Sequence, residues 1–295
     1  MSRLVLVTGA SGFIGGHLCR HLIAAGWQVR AQGRRAQGPP GCDYRRLDLL
    51  TADPAELLAS VTAIVHLANA AHALNPDATL LTRLNVEATL RLAQAAVPMG
   101  LTFVYLSTAK VLGERGHFDD ASPATPVDAY ARSKHAAEQA LSALPELNLI
   151  VLRPPLVYGP GVGGNFARLA RLAASGWPLP FGALTARRSL IHVDDLCAAI
   201  LNLLPRPLPG RWLLSGPEAP TVPELLTALA RAQGGRCRLL RFPTGPLGLI
   251  ARALGRHEDW RRLAEPFVLQ AEAFAAASSW QPRLNLAAGL QGVFR

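Results

Sequence analysis

Thr8-Gly9-Ala10-Ser11-Gly12-Phe13-Ile14-Gly15 decides how this chain is read. It stands between an apolar run, Leu4 to Thr8, and a stretch of helical periodicity, Phe13 to Ala25. That context makes the run a first strand and the periodic stretch a first helix. Gly9 allows the tight turn between them, and Gly12 lets the backbone approach a pyrophosphate. Gly15 lets the helix pack close to the sheet, and the helix N-terminus faces the anion. A glycine triplet alone also fits an ordinary turn. Its position after a strand and before an amphipathic helix points to a phosphate cradle.

Working outward, strands are expected at Gln28 to Gln32, Asp43 to Asp48, Ala63 to Leu67, Thr102 to Ser107 and Asn148 to Arg153. Several are continuously apolar, as strands buried on both faces should be. Helical stretches lie between most of them: Ala55 to Ser60, Asp77 to Ala96 and Ala129 to Leu144. Repeated strand–helix–strand units give an α/β fold with a doubly wound parallel sheet of the Rossmann type. After about Pro160 the character changes. Helices at Phe166 to Ala174, Asp194 to Leu204 and Val222 to Ala232 are separated by Pro- and Gly-rich loops, Pro205 to Gly210 and Thr244 to Gly248 among them. The expected division is a dinucleotide-binding part, 1–160, and a smaller mixed part, 161–295, mainly substrate-binding and interwoven with the first.

Composition narrows the function classes. Half of the 295 residues are apolar and only 17% are charged, which excludes a disordered chain. No apolar run has the length of a membrane span, and Met1 to Val7 goes straight into a strand-like run with no signal-peptide n-region, so a cytoplasmic protein is expected. Cys19, Cys42, Cys197 and Cys237 are scattered, which fits a reducing compartment and no metal site. The net charge of +10 raises the question of nucleic acid. Lysine occurs only at Lys110 and Lys134, and the arginines are dispersed with few aromatics between them, so a nucleic-acid partner is not expected. The charge would still draw a small anion to its site.

Further motifs follow in order. They are His66-Leu67-Ala68-Asn69, Asn85 within Leu84-Asn85-Val86-Glu87, Ser107-Thr108-Ala109-Lys110-Val111-Leu112-Gly113 and Tyr130-Ala131-Arg132-Ser133-Lys134. Arg153-Pro154-Pro155-Leu156-Val157-Tyr158-Gly159-Pro160 and Arg188-Ser189-Leu190-Ile191-His192-Val193-Asp194-Asp195 complete the series. Together with the glycine turn these resemble the extended short-chain dehydrogenase/reductase family over about two-thirds of the chain. Asn69 stands where alanine or glycine is more usual, and Leu112 replaces a tyrosine. The stretch from Val104 to Asp195 is most similar to bacterial UDP-glucose 4-epimerases and UDP-4-keto-6-deoxy-N-acetylhexosamine 4-reductases.

Tyr130 and Lys134 are four apart, hence on one helix face. An ammonium beside a phenol stabilises the phenolate and suits Tyr130 to acid/base work on a hydroxyl. The resemblance assigns Thr108 to the substrate oxygen, with Ser107 the lesser candidate, and gives Lys134 the nicotinamide ribose as well. It further implies cofactor contacts at Gly9, Ser11, Gly12, Phe13, Ile14, Gly15, Asp48, Leu49, Leu67, Ala68, Asn69, Asn85, Tyr130, Pro154 and Val157. Related 4,6-dehydratases carry an Asp-Glu pair after the hydroxyl residue, whereas Ala109-Lys110 stands here, which argues against elimination. Where an NAD enzyme usually ends its second strand with an acid, this chain has Gly33 followed by Arg34 and Arg35, two guanidiniums placed to meet a 2′-phosphate. NADP is therefore preferred over NAD. Asn165 and Arg188 resemble positions that grip a nucleotide-sugar diphosphate, Arg188 by a bidentate contact. His192 is read as a local packing group, with Asp194 and Asp195 as helix caps.

The resulting expectation is reduction at C4 of a UDP-sugar. Rivals are a UDP-sugar 4-epimerase with bound NAD, an NADPH-dependent reductase of a non-nucleotide ketone resembling dihydroflavonol reductases, and a non-catalytic dinucleotide sensor. A homodimer is expected through the helices Asp77 to Ala96 and Ala129 to Leu144, with Leu80, Leu81, Leu84 and Leu141 as packing residues.

Overall fold

β1 (Leu4–Thr8) is buried at every position, as a strand covered on both faces must be. The structure, a computed structural model, describes residues 3–70 and 78–294. From β1 the chain passes through the glycine turn into α1 (Phe13–Ala24), β2 (Gln28–Gly33), β3 (Asp43–Arg46), α2 (Ala55–Leu58) and β4 (Ala63–His66). α3 (Ala78–Thr82), a π-helical turn at Arg83–Glu87 and α4 (Ala88–Ala96) form one long helical rod leading to β5 (Thr102–Leu106). Next come β6 (Gly116–Phe118), α5 (Ala129–Ser142), β7 (Asn148–Arg153), β8 (Leu156–Tyr158) and α6 (Gly164–Ala174). β9 (Pro178–Leu179), β10 (Leu190–His192), α7 (Val193–Leu203), β11 (Gly210–Leu213) and α8 (Val222–Ala232) follow. The remainder is β12 (Arg238–Leu239), α9 (Thr244–Ala253), α10 (His257–Ala264), β13 (Phe267–Leu269), α11 (Glu272–Ser278) and α12 (Leu286–Leu290).

Seven strands form one parallel sheet in the order β11-β7-β5-β4-β1-β2-β3. Strand order reverses beside β1, and such a reversal opens a crevice outside the carboxyl ends of the strands. The glycine turn leaves β1 at that point. Alternate residues of β1 serve opposite cores. Val5 and Val7 join Leu18 and Leu22 of α1 with Ile200 and Leu203 of α7, while Leu4 and Leu6 join Leu81, Leu84, Leu92 and Leu141. Residues beyond 160 thus cover one sheet face through α7 and add the edge strand β11. A third core, with Phe166, Leu225, Leu226 and Leu229, holds α6, α8 and α12 together. No described helix is long and apolar enough to cross a membrane.

Several expectations are corrected. Leu81, Leu84 and Leu141 are 2%, 6% and 0% exposed, so they pack inside the chain and cannot form a dimer face; only Leu80 of that set is half-buried. The helix expected from Asp77 is described from Ala78 onward, Asp77 itself lying outside the described residues, and the π-helical turn interrupts it. Asp48 stands beyond β3, which stops at Arg46. The loop expected at Pro205 to Gly210 ends in β11, and the loop expected at Thr244 to Gly248 is the first half of α9. Glycine and proline lower helix propensity, but Pro246 lies in the first turn, where proline is tolerated.

Candidate active site

The cradle is fixed by close backbone approach. At Gly9 (φ +64°) an added Cβ would lie 2.8 Å from the Ala68 backbone, and at Gly15 it would lie 2.5 Å from the Gly9 carbonyl oxygen. The Gly12 N–H donates to that carbonyl at 2.9 Å, and Gly12 itself is exposed at the start of α1, flanked by half-buried Ser11, Phe13 and Ile14. Thr8 Oγ1 accepts the N–H groups of Leu67 and Ala68 at 3.2 and 3.3 Å and is hydrogen-bonded to His66 Nδ1 at 2.9 Å. His66 Nε2 continues the chain to Thr89 Oγ1 at 2.9 Å. Burial pushes the His66 pKa down to about 3, the Lys134 charge adding to the effect, so the imidazole is a neutral brace. Sequence reading missed this chain; its trace is one polar residue at the carboxyl end of each of two apolar strands.

At the end of β2, the Gly9 N–H donates to Gln32 Oε1 at 3.2 Å, and Gln32 Nε2 donates to the Leu47 carbonyl at 2.6 Å. A Cβ on Gly33 would lie 2.8 Å from Ser11 Oγ and 2.9 Å from the Tyr44 hydroxyl, which donates to the Arg35 carbonyl at 2.8 Å. A side chain at the place of the usual acid would have to displace the Ser11 and Tyr44 hydroxyls. Arg34 and Arg35 are exposed, and no hydrogen bond or ion pair engages either guanidinium among the described residues. Asp48 uses Oδ1 to accept the Leu50 N–H at 3.0 Å, with Leu49 buried beside it.

β5 delivers Ser107 and Thr108 to the carboxyl edge of the sheet. Thr108 starts a short 3₁₀ turn and accepts the Lys110 N–H at 3.3 Å. The Ala109 N–H donates to the Pro154 carbonyl at 2.9 Å, which ties this turn to the segment leading to half-buried Val157. Ser107 is committed elsewhere: its hydroxyl donates to Glu138, which also takes Arg153 at 3.1 and 2.5 Å. This buried triad went unread, although Glu138 falls one helical turn after Lys134.

Half-buried Tyr130 lies in the first turn of α5, capped by Asp128, whose Oδ1 accepts the Ala131 N–H at 2.6 Å. Lys134, one turn on, is 1% exposed; its Nζ has no hydrogen-bond partner among the described residues and lies 4.2 Å from the centre of the Tyr105 ring. Burial pushes its pKa down to about 7 against the opposing pull of Glu138. Burial also raises the Tyr130 phenol above its ordinary range, with Asp128 adding to it. The ammonium was expected to lower the phenol; instead desolvation disfavours the charged form of both. An orphaned buried ammonium is what a pair of ribose hydroxyls would satisfy, and the glycine turn leaves backbone exposed where a pyrophosphate would lie, so the residues fit a dinucleotide.

Asn85 sits in the π-helical turn with both amide groups used: Oδ1 accepts the Ala70 N–H and Nδ2 donates to Ser133 Oγ, each at 2.9 Å. Asn69 Nδ2 donates to the Leu67 carbonyl at 2.9 Å. Lys110 is paired with Asp128 and, at 3.2 Å, with Glu114. Asn165 is exposed in the first turn of α6. Arg188 instead clamps the end of α10: its guanidinium donates to the carbonyls of Arg262 and, at 3.3 Å, Glu265, and lies 5.6 Å from the Phe267 ring. A cavity of about 330 Å³ opens nearby, its lining including Leu184, Thr185, Gly248, Trp260 and Ala264. The cap roles expected of Asp194 and Asp195 fall differently. His192 caps α7, Asp194 contacts His21 at 3.0 Å, and Asp195 accepts the N–H groups of Arg283 and Leu284.

Residues 5–212 match the NAD dependent epimerase/dehydratase family. The chain belongs to this family. It is 29% identical to a UDP-glucose 4-epimerase of Vibrio cholerae, over 99% of this chain and 94% of that one. It is also 31% identical to a ceramide reductase of Caulobacter vibrioides, over 81% and 74% of the two chains. Among solved structures, MoeE5 in complex with UDP-glucuronic acid and NAD superposes with a TM-score of 0.78 at 27% identity, covering 97% of this chain and 96% of that one. The fold is that of the extended short-chain dehydrogenases/reductases, and members of the family are NAD(P)-dependent enzymes acting as epimerases, dehydratases and reductases, with oxidoreductase chemistry on nucleotide sugars.

Proposed function

We propose that this chain is an NADP-preferring oxidoreductase that reduces the C4 ketone of a UDP-sugar. The observation that carries the reading is the carboxylate-free end of β2, where Gly33 stands in place of an acid, packed against the Ser11 and Tyr44 hydroxyls, and two unengaged guanidiniums follow. Arg34 and Arg35 would take a 2′-phosphate, the Gly9–Gly15 turn the pyrophosphate, and Lys134 the ribose hydroxyls. The chemistry supplied by a bound nicotinamide is two-electron exchange with the sugar carbon. Thr108 then holds the carbonyl oxygen, and Tyr130 gives it a proton. A phenol kept protonated by burial and by Asp128 is the form from which a reduction starts. Ala109 and the ion-paired Lys110 provide no base for elimination.

The similarity to a UDP-glucose 4-epimerase along nearly the whole chain supports a second reading, epimerisation with retained NAD. The likeness to a ceramide reductase, with Arg188 already engaged by main-chain carbonyls, supports a third, reduction of a non-nucleotide ketone. In each reading residues 1–160 carry the dinucleotide and 161–295 most of the substrate contacts, in a cytoplasmic homodimer. The dimer would use the outward sides of α4 and α5, where Ala136 and Ala140 are half-buried.

Cofactor titration tests the proposal. NADP binds more tightly than NAD, and Arg34→Ala weakens NADP about ten- to a hundredfold, the worth of one charge-assisted contact, while leaving NAD nearly unchanged. Tighter NAD binding moves the function to epimerisation. Absence of a thermal shift with UDP moves it to the non-nucleotide ketone.

A further inference from the structure

Five of the eleven large apolar side chains exposed among the described residues, Leu240, Phe242, Leu249, Ile250 and Leu254, fall in one short segment of the chain. β9 pairs in parallel with β12, Pro178 beside Arg238 and Leu179 beside Leu239, so Trp177 stands at the start of that ribbon while Leu240 and Phe242 leave its far end toward α9. α9 starts two residues later with Leu249, Ile250 and Leu254 along it or at its end. Leu249 and Leu254 are each 70% exposed. Positions 246, 249, 250, 253 and 254 are all apolar and all exposed, a helical stripe turned to solvent. The opposite side of α9 is the packed one: a Cβ on Gly248 would lie 2.9 Å from Trp260 Nε1 of α10. The helix is therefore held with its apolar stripe outward.

Charge identifies what covers it. From Leu225 to His257 the sequence has no acidic residue and six arginines, and Arg236, Arg238, Arg241, Arg252 and Arg256 are all exposed. The next acids are already engaged, Glu258 with Arg115 at 2.9 Å and Asp259 with Arg262 at 3.9 Å. An apolar stripe bordered by arginines matches the boundary of a bilayer whose headgroups are anionic. We propose that α9 and the segment that leads into it, with Leu240 and Phe242, form a docking surface for an anionic lipid membrane, on which the chain rests without spanning it. This inference stands apart from the reaction assigned above, since it uses none of the catalytic residues.

Flotation of the full chain with vesicles tests it. The chain binds vesicles of equal parts phosphatidylcholine and phosphatidylglycerol, does not bind phosphatidylcholine alone, and releases as salt is raised. Leu249→Glu with Leu254→Glu lowers binding at least tenfold. Arg252→Ala with Arg256→Ala lowers it about 25-fold, at roughly fivefold per arginine near an anionic surface. Melting temperature and cofactor affinity stay at wild-type values in both variants, and the comparison of lipids needs no variant. Equal binding to both vesicles, binding to neither, or undiminished binding of the variants overturns the proposal. So does a wild-type oligomer in light scattering that the Leu249→Glu, Leu254→Glu variant disperses while no vesicle is bound, because the stripe then serves a second copy of the chain.

Discussion

A methyl group added to Gly15 would lie 2.5 Å from a backbone oxygen, whereas one added to Gly245 on α9 would meet nothing within 4 Å. Cations divide the same way. Lys134 is 1% exposed with an unpartnered ammonium, while the arginines around α9 stand in solvent. At the carboxyl end of the sheet, glycine is required by close approach and charge is held at a cost in desolvation. At Gly245 of α9, away from the packed Gly248, glycine is incidental, and the charge around the helix is free. Tight construction marks the region where atoms must be positioned for chemistry, and the open face marks one that meets a larger partner.

The sharpest break comes at Tyr130. Tyr130→Phe keeps the fold and cofactor affinity and lowers turnover by about 100- to 10,000-fold, the usual worth of a positioned acid/base. Steady-state kinetics beside cofactor titration check it, and near-normal turnover removes Tyr130 from the mechanism. Lys134→Met separates stability from activity: turnover falls, but the ligand-free chain gains roughly 1–3 kcal/mol near neutral pH by losing a buried orphan charge. The pH sign follows from the lowered pKa. Below about 7 both folded and unfolded states carry the proton and the penalty is complete. Between about 7 and 10.5 only the unfolded state holds it, so wild-type stability rises with pH relative to Lys134→Met. Thermal melts of both chains across that range show their difference shrinking; a constant difference refutes the buried-lysine account.

Two glycine substitutions compare the regions directly. Gly15→Ala forces the turn apart and costs about 1–3 kcal/mol with loss of dinucleotide affinity. Gly245→Ala places a better helix former in open space and raises stability by about 0.5–1 kcal/mol. Urea titration of the pair should give opposite signs, and equal signs would mean the two helices are constrained alike.

The same contrast explains what was legible. β1, the glycine turn, β7 and the Tyr130–Lys134 spacing are set by neighbours in sequence, and pattern alone locates them. The engagement of Arg188 by α10 carbonyls, the Ser107–Glu138–Arg153 triad and the burial of Leu84 and Leu141 depend on partners far along the chain. No local period encodes those contacts. α9 was hidden for another reason: its glycines and prolines signal a loop, and packing on Trp260 overrides that propensity.

The outermost strand of the sheet also sets a schedule for synthesis. β7 ends at Arg153, but the strand that pairs with its free edge, β11, begins only at Gly210. At about 5–20 residues per second the ribosome takes roughly 3–11 s to make the intervening chain. Throughout that interval the edge of β7 presents unpaired N–H and C=O groups along the apolar run Ile150, Val151 and Leu152. Nascent chains stalled or truncated before Leu213 therefore expose a sticky strand, and their natural companions are chaperones or other such chains.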